Sequence, residues 1–424
     1  MREMKDSGIE WVGKVPKIWS LKPIRALFDE VTEKNFLGTC SNALKFTYGS
    51  IVRKPNFDAD ADDYVASTIL NYTVVEPGTI MLNGLNLNFD FVSQRIGLVK
   101  EKGVITSAYM AFKPNEKHLI DSEFANYLFK AYDGCKAFHN MGGGVRKILN
   151  FNEFKKYYIP LPDLNEQQHI VDLLDTKCSE IDATAEDIQK EISLLEDYKK
   201  SVITEAVTKG LNPDAEMKDS GVKWLPKIPK HWKVIPSKYL FANSDIRRQT
   251  GDEQLTASQK YGIITQKNYT AKENAQVVLA TQGLEKWKHV EPNDFIISLR
   301  SFQGGLEMSD ITGCITWHYV VLKAQKKVYH KYYKWLFKSA RYINALQGTC
   351  NFIRDGQDLR FSNFALVPLF ELPLEEQQQI ADYLDTKCSE IDTLIADKKR
   401  QVDILADYKK SLIYEYVTGK KEVV

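Results

Sequence analysis

A chain of 424 residues is longer than one hydrophobic core usually organises, so two or more domains are expected. With 43% hydrophobic and 27% charged residues, 23 Gly and 14 Pro, the composition excludes a disordered or fibrous protein. No apolar run is long enough to span a bilayer, the charged opening from Met1 to Glu10 has no apolar stretch behind it, and the net charge is only +1, so a soluble cytoplasmic protein with no membrane partner is expected.

The chain begins with a short lead carrying Met4-Lys5-Asp6-Ser7-Gly8, Trp11, Pro16 and Trp19. Behind it, β-branched runs such as Thr73-Val74-Val75 and Ile80-Met81-Leu82, flanked by Gly, Asn and other turn formers, predict strands with a few helices. This first body is basic, with 21 Lys and Arg against 18 Asp and Glu over residues 1–160. From Asn165 to Thr208 there is neither Pro nor Gly, and Leu174, Ile181, Ile188, Leu195 and Val202 recur every seven residues, with Cys178, Ala185, Ile192 and Ala206 four places after their neighbours. That spacing predicts one long helix with a coiled-coil seam, ended by Gly210 and Pro213. The charge reverses here, 5 basic against 12 acidic residues over 161–212.

The order then starts again. Met217-Lys218-Asp219-Ser220-Gly221, Trp224, Pro229 and Trp232 repeat the lead, Val290-Glu291-Pro292 repeats Val75-Glu76-Pro77, and Phe295-Ile296-Ile297-Ser298 marks strands in a second body. Residues 213–370 are strongly basic, 23 against 14, and 371–424 acidic, 8 against 12. Asp175-Thr176-Lys177-Cys178-Ser179-Glu180-Ile181-Asp182 returns letter for letter as residues 385–392, and Leu384, Ile391, Leu405 and Leu412 with Cys388, Ile395, Val402 and Tyr416 rebuild the seam, with Lys398 interrupting one register position. The chain is a tandem duplication in which the tails stayed alike and the bodies diverged. A tail helix spans about 66 Å at about 1.5 Å per residue, and alone it would leave its seam wet. The two are therefore expected to pair within the chain, antiparallel, with one basic body toward each end. The expectation is an α+β protein: residues 1–162 and 213–371 form two mixed α/β domains, joined by long helices over 163–212 and 372–424. The six cysteines, none in a C-x-x-C pair, are expected as free thiols, Cys178 and Cys388 lying toward opposite ends of the helix pair.

Each body closes on a proline step before its helix: Ile159-Pro160-Leu161-Pro162 ahead of Glu166-Gln167-Gln168, and Val367-Pro368 with Leu372-Pro373 ahead of Glu376-Gln377-Gln378. This duplicated layout resembles the specificity subunit of type I restriction-modification enzymes over essentially the whole chain; Asp163 stands where that family commonly has a second proline. The resemblance implies two target-recognition domains, each reading one half of a split site on double-stranded DNA. It implies a helix pair that serves as spacer and as docking surface for two methyltransferase subunits, with restriction and translocase subunits completing the complex. Glu166, Gln167, Gln168, Glu376, Gln377 and Gln378 are the candidate docking residues. S-adenosylmethionine, ATP and magnesium would be carried by the partners and none by this chain. The segregated charge agrees, because basic bodies neutralise phosphates while acidic helices repel them and suit protein partners.

Arg pairs with guanine, and Asn or Gln with adenine, through two hydrogen bonds at once. The most divergent equivalent segments therefore supply the candidates: Asn83, Asn86, Asn88 and Arg95 in the first copy, Arg300 and Gln303 in the second. A further pair of segments offers Arg53 and Lys54 after Tyr48-Gly49, and Gln266 and Lys267 after Tyr261-Gly262. Gly142-Gly143-Gly144-Val145-Arg146-Lys147 presents backbone N–H groups and two cations to phosphate, led by Gly143, Arg146 and Lys147, without the G-K-[ST] of an ATP-binding loop. Arg354 and Arg360 are its looser counterparts. Plain surface loops are the alternative for all of these, and Trp11, Trp19, Trp224 and Trp232 read as packing residues. No catalytic set is found: the seven His lack metal-ligand spacing, and the nuclease-like letters of Pro213-Asp214-Ala215-Glu216-Met217-Lys218 are cramped into the repeat's own lead. A coiled-coil scaffold that binds only proteins is the competing reading, and it leaves two diverged basic bodies without a purpose.

Overall fold

Strands form where the β-branched runs are, and the computed structural model, which describes residues 2–55, 68–89, 91, 94–145, 147–273, 280–299, 301–349 and 359–423, pairs them identically in both copies. In the first body Phe28–Glu30, Met110–Pro114, Ile80–Leu82 and Ile96–Leu98 lie in that order as an antiparallel sheet. Phe241–Ser244, Val320–Ala324, Phe295–Ile297 and Glu307–Met308 repeat the order in the second. The smaller sheets recur too. The lead hairpins pair Met4–Asp6 with Lys14–Pro16 and Met217–Asp219 with Lys227–Pro229. Outer hairpins join Leu44–Thr47 to Ser50–Arg53 and Leu255–Ser258 to Gly262–Thr265. The duplication read in the sequence is thus a duplication of topology.

The chain divides into two compact units, Met1–Ile188 with Arg400–Val424, and Gln189–Lys399. The long helices run Leu164–Lys209 and Leu374–Val417, and each gives one portion to each unit.

In the first unit the sheet is covered by the helix Ser122–Gly134, started by Asp121, whose carboxylate accepts from the backbone N–H groups of Glu123 and Phe124. Phe124, Leu128, Phe129 and Tyr132 of that helix are fully buried with Ile80, Phe112 and Trp19. The same core takes in Ile170, Leu174, Cys178 and Ile181 from one long helix and Leu412, Ile413 and Val417 from the other. These two portions are antiparallel: Arg2 bridges Glu166 and Glu422, while Asp182 receives Lys409 at 2.6 Å.

The second unit repeats the plan with His330–Lys338 and its buried Tyr332, Tyr333, Leu336 and Phe337. Its helix portions are antiparallel as well, Glu191 meeting Lys398 at 2.5 Å and Lys199 meeting Asp392 at 2.6 Å. All seam positions expected from the heptads are buried or half-buried in their own units. Cys178 and Cys388 are buried free thiols, and desolvation raises the pKa of both. Among the described residues no helix is long and apolar enough to cross a membrane.

Candidate nucleic-acid interface

Two loops about sixty residues apart in sequence are zipped together on the first body. Leu87 N–H donates to Lys147 O at 3.1 Å and Leu149 N–H to Gly84 O at 2.9 Å. Asn88 Nδ2 donates to Val145 O at 3.1 Å. The closeness depends on Gly84, where a Cβ would stand 2.2 Å from Leu149 O. The result is one platform that brings Asn83, Asn86, Asn88, Gly143 and Lys147 together. Asn86 holds a left-handed φ of 53° and is exposed; Lys147, with a φ of 39°, is exposed as well, its Nζ donating to His139 O at 3.4 Å. Asn83 is half-buried, its side-chain oxygen accepting from Leu85 N–H at 3.2 Å, so it shapes the loop as well as lining it.

The platform also carries apolar groups that the sequence reading did not single out. Val145 is 95% exposed and Phe89 74%. Phe91 stacks on His139 with ring centres 4.6 Å apart. The available signal was an apolar residue placed inside a Gly- and Asn-rich loop.

Arg95 requires a correction. It is 1% exposed, so it cannot reach a base or a phosphate. Its Nη1 donates to Asn83 O at 2.9 Å and Leu85 O at 2.8 Å, its Nη2 to Asn86 O at 3.4 Å, and its backbone N–H to Asp133 Oδ2 at 2.7 Å. Burial raises the pKa of the Asp133 carboxyl. Arg53 and Lys54 are exposed on the outer hairpin, where Arg53 Nε donates to Asn42 Oδ1 at 2.8 Å.

The corresponding loop of the second body is built differently. Ser301–Gly304 forms a helical turn with Gln303 exposed, and buried Ser301 accepts from Ser298 N–H at 2.9 Å. Gly305, at a φ of 77°, lies so close to the end of His330–Lys338 that a Cβ would meet Phe337 O at 2.1 Å. Behind it, Lys338 pairs with buried Glu307. On the outer hairpin side Lys260 and Lys272 each stand 4.9 Å from the Tyr261 ring, next to exposed Lys267. Gln266 turns its side-chain oxygen inward, where it is buried without a partner. Arg360 is exposed at the start of Phe361–Leu366. Arg146, Arg300 and Arg354 lie outside the described residues.

The Glu-Gln-Gln runs also need correcting. Gln167 is fully buried, accepting from Asp121 N–H at 2.8 Å and donating to Leu119 O and Pro162 O at 3.0 Å. Gln377 does the same for Tyr329 N–H at 2.8 Å and Leu372 O at 2.9 Å. Glu166 accepts from Trp19 Nε1, and Glu376 from Trp232 Nε1, both at 3.0 Å. These four residues tie each body to its helix; Gln167 and Gln377 are buried and cannot meet a partner, while Glu166 and Glu376 are half-buried. Only Gln168 and Gln378 remain exposed. A second tie was missed: Tyr127 Oη donates to Asp175 at 2.5 Å and Trp335 Nε1 to Asp385 at 2.9 Å, both acids lying in the repeated octapeptide. Among the described residues no group of three His, Cys, Asp or Glu could hold a metal ion.

Comparison with known proteins places this geometry. Residues 23–194 match the type I restriction modification DNA specificity domain. The chain is 21% identical to the type I restriction enzyme MjaX specificity subunit of Methanocaldococcus jannaschii, over 97% of this chain and 96% of that protein. It is 24% identical to the MjaVIII specificity subunit of the same organism, over 53% of this chain and 49% of the relative. Its fold is shared with a chain from a structural study of complex assembly and conformational transition in the type I R-M system, at a TM-score of 0.68 and 14% identity, covering 96% of this chain and 99% of that one. It is also shared with the HsdS subunit from Thermoanaerobacter tengcongensis, at a TM-score of 0.51 and 15% identity, covering 96% and 98%. The chain thus carries a type I restriction modification DNA specificity domain over residues 23–194 and is similar along nearly its whole length to a type I restriction enzyme specificity subunit.

Proposed function

We propose that this chain reads a two-part, asymmetric site on double-stranded DNA, one part per body, and directs adenine methylation and restriction that partner subunits catalyse. One observation carries the reading. Two bodies with the same strand order hold up loops of different chemistry, an Asn-rich platform in one and a Gln- and Ser-bearing helical turn in the other. A scaffold kept constant under a variable polar loop suits base-edge recognition, where residue identity rather than fold sets the sequence read.

In this reading Asn86, Gln303 and Lys267 approach bases, while Asn88, its side-chain oxygen buried and its Nδ2 on Val145 O, holds the two loops together. Gly143, Lys147, Arg53, Lys54 and Arg360 approach phosphates, and the excess positive charge of residues 213–370 draws the duplex in. Two methyltransferase subunits dock on the exposed helix faces, with Gln168, Gln378 and the outward apolar residues Leu194, Leu394 and Ile404 as the contact points. Restriction and translocase subunits join in the cytoplasm, and S-adenosylmethionine, ATP and magnesium belong to the partners. Each target adenine is flipped into a methyltransferase pocket, which carries the cost of unstacking it.

The test is methylation mapping of DNA from cells making this chain with its cognate adenine methyltransferase, and from cells making either alone. A split motif that needs both proteins is expected. No motif from an active methyltransferase pair would sink the reading and leave a protein-binding scaffold.

A further inference from the structure

Arg95 is a full guanidinium placed where almost no water reaches it, and three of its hydrogen bonds end on the backbone of a single short loop. Burying a charge is unfavourable unless donors find acceptors, and a guanidinium offers five N–H donors in a fixed planar fork. Here the fork gathers the carbonyls of Asn83, Leu85 and Asn86 under one centre. Those carbonyls belong to residues whose side chains shape or line the platform's surface, and Asn86 is held there in a left-handed conformation.

The anchor is itself fixed. Arg95 N–H is held by buried Asp133, and Arg95 O accepts from Asn83 N–H at 2.9 Å, which closes the loop's two ends on each other. Among the described residues, strand register places no such device at the equivalent position of the second body. Ile80 pairs with Leu98, and its counterpart Phe295 pairs with Met308. The place three residues before the partner is Arg95 in the first body and Gly305 in the second, where Phe337 O leaves no room for any side chain.

Resting on the DNA-reading function above, we infer that Arg95 is the positioning residue of the first body: it touches no DNA, and it sets the backbone from which exposed Asn86 reads one half-site only. Neutral substitution strands the loop carbonyls of the first body and leaves the second loop, built on Ser301 and Gly305, as it was.

The experiment is methylation mapping with the full chain and its methyltransferase for wild type, Arg95→Met and Arg95→Lys, together with thermal unfolding of each chain. Wild type must give a two-part motif; if it gives none, the DNA-reading function fails and not this inference alone. Arg95→Met is expected to relax one part of the motif by about tenfold, the scale of losing one good base contact. The other part should keep its wild-type stringency. Arg95→Lys, which keeps the charge but not the fork, should relax the same part less. If Arg95→Met does not fold, Arg95→Lys decides on the same readout. The inference is overturned if a folded variant reads both parts as wild type does, if both parts relax together, or if neither variant folds, since the residue would then serve the fold and not the loop.

Discussion

Gln167 and Gln168 are neighbours in one helical turn with opposite fates. Gln167 points inward and satisfies three backbone groups, and Gln168 points to solvent and bonds only Asp172 on its own helix. Removing a buried side chain that satisfies main-chain donors and acceptors leaves those groups unpaired, at a cost of about 1–3 kcal/mol. Gln167→Ala and Gln377→Ala are therefore expected to lower the melting temperature, and Gln168→Ala and Gln378→Ala to leave it nearly unchanged while weakening co-purification with the methyltransferase. Asp133 gives a pH test. Burial raises its pKa above the ordinary 3.8, so the folded chain binds that proton more tightly than the unfolded one. Its contribution to stability is then fully present below the ordinary value and is lost as pH rises through the folded one. Asp133→Asn, which still offers an oxygen to Arg95 N–H, should flatten the melting-temperature profile across that range; an unchanged slope would mean that another group titrates there.

Lysines in the helix seams show how the elements are held in register. Lys199, Lys398 and Lys409 occupy seam positions, half-buried, and each crosses to an acid on the facing helix of its own unit: Asp392, Glu191 and Asp182. A polar residue in an apolar seam contributes little stability and penalises any shifted pairing. Double-mutant cycles on Asp182 and Lys409 should give a coupling of no more than about 1 kcal/mol. Leu174→Ala, at a fully buried seam position, should cost about 2–5 kcal/mol. Leu194→Ala, 69% exposed, should cost less than about 0.5 kcal/mol, as read by chemical denaturation. The helices were legible in the sequence because heptad spacing is local information. The Glu-Gln-Gln runs were misjudged because their partners, Trp19, Asp121 and Tyr329, arrive from 46 or more residues away. Arg95 misled for the same reason. Its residue type and loop setting suit a guanine reader, and only the approach of Asp133 and the loop carbonyls reveals it as interior. The likeness of the tails reflects in part a shared internal role, since Glu166, Gln167, Asp175, Cys178 and Asp182 each contact other residues of their own unit.

At the scale of the molecule, the two units differ in how the chain supplies them. The second is one continuous stretch, Gln189–Lys399, whereas the first needs Arg400–Val424 to complete its core. Leu412, Ile413 and Val417 lie among its buried residues, Tyr414 Oη donates to Trp11 O at 3.0 Å, and Lys420 Nζ donates to Val12 O at 2.5 Å. Loss of three buried aliphatic side chains at about 2–5 kcal/mol each matches or exceeds the stability of a typical domain. A chain ending at Lys399 is therefore expected to keep protease resistance over Gln189–Lys399 and to lose it over the first body, and equal resistance in both would refute this dependence. The order of translation adds a further consequence. The first body leaves the ribosome well before Arg400–Val424 and must wait for that segment, a delay of roughly 10–40 s at common elongation rates. During that interval Leu174 and Cys178 lack the packing that Leu412, Ile413 and Val417 supply, so the portion of the protein synthesised earliest becomes native late and is the one most in need of a chaperone.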